Sequence, residues 1–303
     1  MKSHPESSAL QKSAAHTGAI YALVAYTAWG LLPIYWKFFG QVPAVEVLSH
    51  RIIWSMVFLT GLLFLQQRNA ELKQIWRSPR QLGILLTTAL LLTFNWGLYI
   101  YAVNANHVVE TSLGYYINPL VSVLLGFLFL KERLNRGQFL AVMLATLGVT
   151  NFIWHFGSVP WIALGLAFSF AFYGLLRKVA AVAPMSGLAI ETLLVTPAAL
   201  ALVAYLAASG KGHMGANWTL NLLFMGAGIA TSLPLLWFNN AAKRLRLSTL
   251  GFFQYVAPSL QLIIGVFLYH EPFTITHAVT FGFIWSALII FSISSLRSAK
   301  DNH

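Results

Sequence analysis

The stretches "GYYINPLVSVLLGFLFLKE" (residues 114–132) and "FQYVAPSLQLIIGVFLYHE" (residues 253–271) read as two copies of one element. At a constant offset of 139 residues, Tyr116 falls on Tyr255, Pro119 on Pro258, Gly126 on Gly265 and Glu132 on Glu271. Self-similarity at a fixed spacing means repeated structural units. The earlier parts of the two units also align, with Glu46 falling on Glu191 and "AWG" (28–30) near "FYG" (172–174). Each copy is mostly apolar and long enough to cross a bilayer core of about 30 Å as a helix.

Composition extends that reading to the whole chain. Of 303 residues, 58% are hydrophobic and 9% charged, against about 25% charged in soluble domains. Mean hydropathy is +0.70. Windows of about 19 residues give ten spans, at 17–38, 43–66, 81–103, 107–130, 137–155, 160–178, 186–208, 219–242, 247–269 and 274–296. The first is too long for the apolar core of a signal peptide and is expected to be retained. The chain is therefore expected to be an all-α integral membrane protein.

Charge orients the spans. With the N-terminus inside, Lys37 and Lys211 are the outer cations and Arg51 lies within a span, which leaves 16 of the 19 Lys and Arg on the inner side. That bias places both termini in the cytoplasm. It also accounts for the net charge of +11 without a nucleic-acid partner. There are no cysteines, which excludes disulfides and thiolate chemistry.

The organisation expected is a tail at 1–16, five-helix units at 17–156 and 157–296, and a tail at 297–303. Because five is odd, the second unit enters the membrane upside down relative to the first. Inverted repeats underlie alternating access around a site near the midplane.

The residues also resemble a known group. Paired five-helix units, "AWG" in the first helix, a proline inside the fourth and ninth spans and a glutamate after each are similar to the drug/metabolite transporter superfamily in its EamA branch. Within that branch, "SLGYYINPL" (112–120), "IALGLAFSFAFYG" (162–174) and "LRLSTLGFFQYVAPSL" (245–260) resemble the RarD-type permeases, over nearly the whole chain. The resemblance implies a bacterial inner-membrane permease with the ten-helix fold. Its family label concerns chloramphenicol sensitivity or resistance, and its wider substrates are amino acids, other metabolites and drugs.

Polar groups inside apolar spans are the candidates for function, since an isolated charge there costs at least about 2.5–3.5 kcal/mol. At 1.5 Å per residue, Glu46 lies about 5 Å into the second span, and His50 and Arg51 about 10–12 Å. Glu46, His50 and Trp54 share one helical face, and Arg51 projects about 100° away. Glu46 over His50 could relay a proton, and Arg51 could hold a substrate carboxylate or lock Glu46. The competing reading sets Glu46 in the headgroups with Arg51 snorkelling outward. Glu110 opens the fourth span, where an acid also complements the helix dipole. Glu191 lies about two turns in from the cytoplasmic side, available either to a coupling ion or to structural hydrogen bonds.

Deeper in the bundle, Tyr115, Tyr116 and Asn118 precede Pro119, and Gln254 and Tyr255 precede Pro258. Each proline frees a carbonyl one turn earlier, which membranes tolerate beside a cavity. Trp29, about 18 Å from its helix start, could stack on a planar or cationic solute. Trp36, Trp154 and Trp161 read as interfacial belt residues, and Glu132 and Glu271 as connectors. The substrate-contact set is thus Trp29, Arg51, Tyr115, Tyr116, Asn118, Gln254 and Tyr255. The proton-relay set is Glu46, His50, Glu110 and Glu191.

Without a Walker loop, pumping is expected to be secondary. The expected partners are a small organic solute, protons and membrane lipids, with no cofactor or metal; the sequence leaves oligomeric state, substrate and transport direction open. An alternative from another class is an intramembrane enzyme or lipid-modifying protein using His50 with Glu46 as base, against which the lack of a nucleophile motif counts.

Overall fold

The computed structural model describes residues 5–104, 108–156, 160–268, 270 and 275–301. Its helices are α1 (Pro5–Lys37), α2 (Ala44–Leu65), α3 (Asn69–Trp76), α4 (Pro79–Asn104), α5 (Val108–Leu130) and α6 (Arg136–Phe156). They continue as α7 (Trp161–Val179), α8 (Pro184–Ala208), α9 (Trp218–Arg244), α10 (Leu247–Gln254), α11 (Val256–Leu268) and α12 (Ile275–Asp301). Among the described residues, ten segments are long and apolar enough to cross a membrane, α10 and α11 counting together as one.

Three local features differ from the sequence expectation. The ninth span is not one kinked helix but breaks at Tyr255, three residues before Pro258. Pro258 supplies no N–H and crowds the carbonyl one turn back, so the break falls where that carbonyl sits. The segment after the second span holds the short helix α3, and α1 begins well before residue 17.

Packing between the halves follows a regular scheme. Exchanging each helix for its sequence counterpart leaves the main pairs unchanged. The pair α1–α9 answers α7–α4, α2–α9 answers α8–α4, and α5–α7 answers the contact of α10 and α11 with α1. The pairs α2–α8, α5–α10 and α6–α12 answer themselves. Small residues permit the close approaches: Ala141 and Ala145 on α6 are fully buried, and α6 packs on α12. At Gly228 a Cβ would lie 2.3 Å from the Trp54 backbone carbon, so α9 touches α2 backbone to backbone, and Ser55 Oγ donates to the Gly228 carbonyl at 3.1 Å.

Glu132 shows how a connector holds the bundle. Its carboxylate accepts the Leu247 N–H at 2.6 Å and the Ser248 N–H at 2.9 Å, with Arg246 Nε 3.7 Å away. These are the open donors at the start of α10, where an anion is favoured. Its repeat counterpart Glu271 lies outside the described residues.

Candidate functional site

A cavity of about 400 Å³ lies among α1, α2, α4, α5, α7, α9, α10 and α11. Phe39, Gly40, Val42 and Ala44 line it, so it reaches the end of the bundle that carries the α1–α2 connection. Toward the opposite end it is floored by aromatic rings. Trp29 stands edge-on to Phe170 at 5.7 Å, Phe238 lies 5.2 Å from Phe170, and Tyr173 stacks on Phe238 at 5.9 Å.

Arg51 is the charged group of the cavity wall. Its Nε donates to Thr231 Oγ1 at 2.9 Å. The guanidinium carbon lies 4.6 Å from the ring centre of Trp36 and 5.4 Å from that of Trp96, within cation–π range. Trp36, expected at the membrane interface, is thus turned inward by its place on α1. Trp96, Tyr99, Asn95 and Gln261 line the cavity as well, none of them among the contact residues expected from the sequence.

The expected contact residues divide by helix face. Trp29, Arg51, Tyr115, Asn118 and Gln254 line the cavity, whereas Tyr116 and Tyr255 do not. Tyr116 packs between Phe152 and Phe281 at 5.5 and 5.4 Å. Tyr255 is fully buried and donates its hydroxyl to the Tyr116 carbonyl at 3.2 Å; these two repeat mates join α5 to the break in the ninth span. The amides carry structural bonds too. Asn118 donates to the Ala167 carbonyl at 2.8 Å, Asn95 donates to Leu166 and Ser169, both at 2.9 Å, and Ser122 Oγ lies 3.2 Å from Gln254 Oε1.

Of the expected relay residues, Glu46, His50 and Glu191 do not line the cavity. Glu46 is 1% exposed, and its two oxygens meet the backbone N–H and ring Nδ1 of His213 at 2.6 and 2.7 Å. The pair ties the start of α2 to the α8–α9 connection. His50 is buried, lies 4.1 Å from the Phe224 ring, and its Nε2 has no partner among the described residues. The shared face of Glu46, His50 and Trp54 therefore turns toward α9, and Arg51, on the next face, reaches the cavity. The Glu110 side chain lies outside the described residues.

Glu191 lies near the closed end, 2% exposed. It accepts from Thr88 Oγ1 at 2.6 Å and Tyr173 Oη at 3.3 Å and faces Arg177 Nη1 at 3.4 Å. Arg177 is fully buried, the largest such side chain among the described residues, and donates to the Pro184 carbonyl at 3.1 Å. The guanidinium fits because Gly187 lacks a side chain: a Cβ there would sit 2.2 Å from Nη1. Between Glu191 and the main cavity is a void of about 20 Å³, with Trp96, Thr231 and Leu235 bordering both spaces. That size suits one water, and Ser232 Oγ on its wall is buried without a partner among the described residues.

Beyond the spans at the same end, α3 carries Glu71. Arg68 bonds it through Nε and Nη2 at 2.7 and 2.8 Å, and the Ser186 hydroxyl donates from the start of α8. The Arg68 bonds, helped by Ser186, hold the Glu71 carboxyl below the ordinary carboxylate range against a smaller opposing effect of burial.

Comparison with known proteins agrees with this architecture. A crystal structure sharing 17% identity aligns over 91% of this chain and 97% of its own, with a TM-score of 0.70; at that identity it shows the fold alone. Residues 16–154, which hold most of α1 and the helices through α6, match the EamA-like transporter family. An "Uncharacterized transporter" of Vibrio cholerae is 51% identical over 94% of each chain. "Protein RarD" of Escherichia coli (strain K12) is 49% identical over 93% of this chain and 96% of its own. With relatives this similar along nearly its whole length, the chain belongs to the EamA-like transporter family as a multi-pass membrane permease of the RarD type.

Proposed function

We propose that the protein is a secondary transporter that moves a small organic solute across the bacterial inner membrane by alternating access, with both termini in the cytoplasm. The observation that carries this is the cavity: it opens at one end of the bundle and is closed at the other by stacked aromatics and a buried ion pair. With the cation-poor end outside, the solute enters past the α1–α2 connection and meets Arg51. The packing scheme common to both halves supports a mirrored state in which the units at 17–156 and 157–296, inverted relative to each other, close the outer end and open the inner one.

The driving force in this reading is the proton gradient. Glu191 supports it, because its carboxylate stands one water-sized void away from Thr231, which also holds Arg51. In this reading, solute at Arg51 and a proton at Glu191 influence each other across that void. The enzyme alternative gains no observation of its own, since both oxygens of Glu46 are engaged by His213 rather than His50.

Flux into proteoliposomes, with amino acids, organic carboxylates, quaternary amines and amphenicols, tests the reading. The expected result is accumulation of one class under an imposed pH gradient, collapse on adding a protonophore, and loss of accumulation but not of exchange in Glu191→Gln. Flux indifferent to the gradient refutes coupling. No flux of any class refutes transport.

A further inference from the structure

We propose that the cavity selects an organic monoanion, a carboxylate on an apolar or aromatic body with no ammonium group to balance it. The inference rests on reading the cavity as the solute site and adds the charge and shape of what enters.

It begins from an account of the acids. The chain has eight Asp and Glu, and the side chains of Glu6, Glu110, Glu271 and Asp301 lie outside the described residues. The other four are committed elsewhere: Glu46 to His213, Glu71 to Arg68, Glu132 to the start of α10 and Glu191 to Arg177. Among the described residues no carboxylate faces Arg51. A guanidinium about 10 Å along a membrane-spanning helix nevertheless demands an anion, because burial without one is costly. Among the described residues the guanidinium's hydrogen bond runs through Nε and its face lies over Trp36 and Trp96, leaving its terminal nitrogens without hydrogen bonds there. Those nitrogens form the forked donor edge that matches a carboxylate.

The remaining walls set the sign and the shape. One cation calls for one negative charge. An ammonium would find no acid on the described cavity wall, and two of the ring faces suited to it, Trp36 and Trp96, are already occupied by Arg51. The amides are largely spent on the protein's own carbonyls and hydroxyls. Trp29, Tyr99, Tyr115 and Phe170 offer flat apolar surface for the solute body.

The test measures binding of phenylacetate, phenylacetamide, phenylalanine and phenyltrimethylammonium to the purified full-length protein by tryptophan fluorescence and calorimetry. Each is paired with counterflow in proteoliposomes. Phenylacetate is expected to bind at millimolar concentration or below. The amide, lacking the charge-assisted bonds, is expected to bind about tenfold or more weakly, phenylalanine to fall between, and the quaternary amine not to bind. Arg51→Gln should abolish the preference for the acid over the amide, and Arg51→Lys should keep the sign of that preference with reduced affinity. Phenylalanine or the amine binding as well as phenylacetate overturns the proposal. So does an unchanged preference in Arg51→Gln, or silence toward phenylacetate; if that variant does not fold, the wild-type panel decides. Flux of another class without phenylacetate binding overturns the anion inference and spares transport. Phenylacetate binding without flux of any class does the reverse.

Discussion

Replacing Gly187 by Ala tests whether the buried Arg177–Glu191 pair is held as described. The new Cβ would sit 2.2 Å from Nη1, 2.8 Å from Nη2 and 2.9 Å from Cζ of Arg177, where ordinary contact begins near 3.4 Å. A guanidinium is usually able to swing aside, but Arg177 is fully buried and its nearest acid is already 3.4 Å away. Retreat therefore pulls it off Glu191. Breaking one side of a buried ion pair costs about 3–5 kcal/mol, while Gly→Ala in a helix returns about 1 kcal/mol. The expected net loss is about 2–4 kcal/mol. It is read from unfolding of the purified protein in a denaturing-detergent titration followed by circular dichroism. In a Glu191→Gln background the same substitution should cost less than half as much, since the amide does not require the cation. Equal losses in both backgrounds, or a Gly187→Ala protein as stable as wild type, would refute the geometry of the pair.

At Gly228 the obstacle is backbone, not the end of a side chain: an Ala Cβ would lie 2.3 Å from the Trp54 carbon and 2.6 Å from the Ser55 nitrogen. Gly228→Ala must separate α9 from α2, and a loss exceeding about 3 kcal/mol together with loss of folded protein from the membrane is expected on expression trials and detergent unfolding. For Glu71, whose folded-state carboxyl titrates below its ordinary value of 4.5, the stabilisation is fully present above that value and disappears as pH falls through the lower folded one. The group is 38% exposed, so about 1 kcal/mol or less is at stake; Glu71→Gln should flatten the acid limb of the thermal midpoint measured from neutral pH to about pH 3.

Most of the architecture was legible because a membrane leaves the backbone few choices. Hydropathy placed the ten spans within a few residues of their helices, except at the start of α1, which begins at Pro5. Arg51 also stood out, since a guanidinium in an oily run requires an explanation. What surrounds it did not. Trp36 and Trp96 meet Arg51 from two other helices, and their direction depends on how α1 and α4 are rotated in the bundle, a property of packing that a single strand of text does not carry. Glu46 was likewise visible, but its partner His213 stands 167 residues away in a polar connection that carries no periodic signal. Tyr116 and Tyr255 were identified by their proximity to prolines, yet one residue's rotation on a helix separates Tyr115 in the cavity from Tyr116 in the packing.

The two carboxylates aligned by the repeat, Glu46 and Glu191, have a consequence for the resting protein. Under the alternating access proposed above, chemically identical inverted halves would make outward-open and inward-open forms equal in free energy and equally populated. Divergence removes that degeneracy: one copy fastens a loop imidazole at the rim, and the other neutralises a guanidinium sealed beneath the aromatic floor. Each 1.4 kcal/mol of difference between those fastenings, by the usual relation, tilts the empty transporter about tenfold toward one side. In that proposal, the bias that decides which face waits for solute is set where the two halves no longer agree.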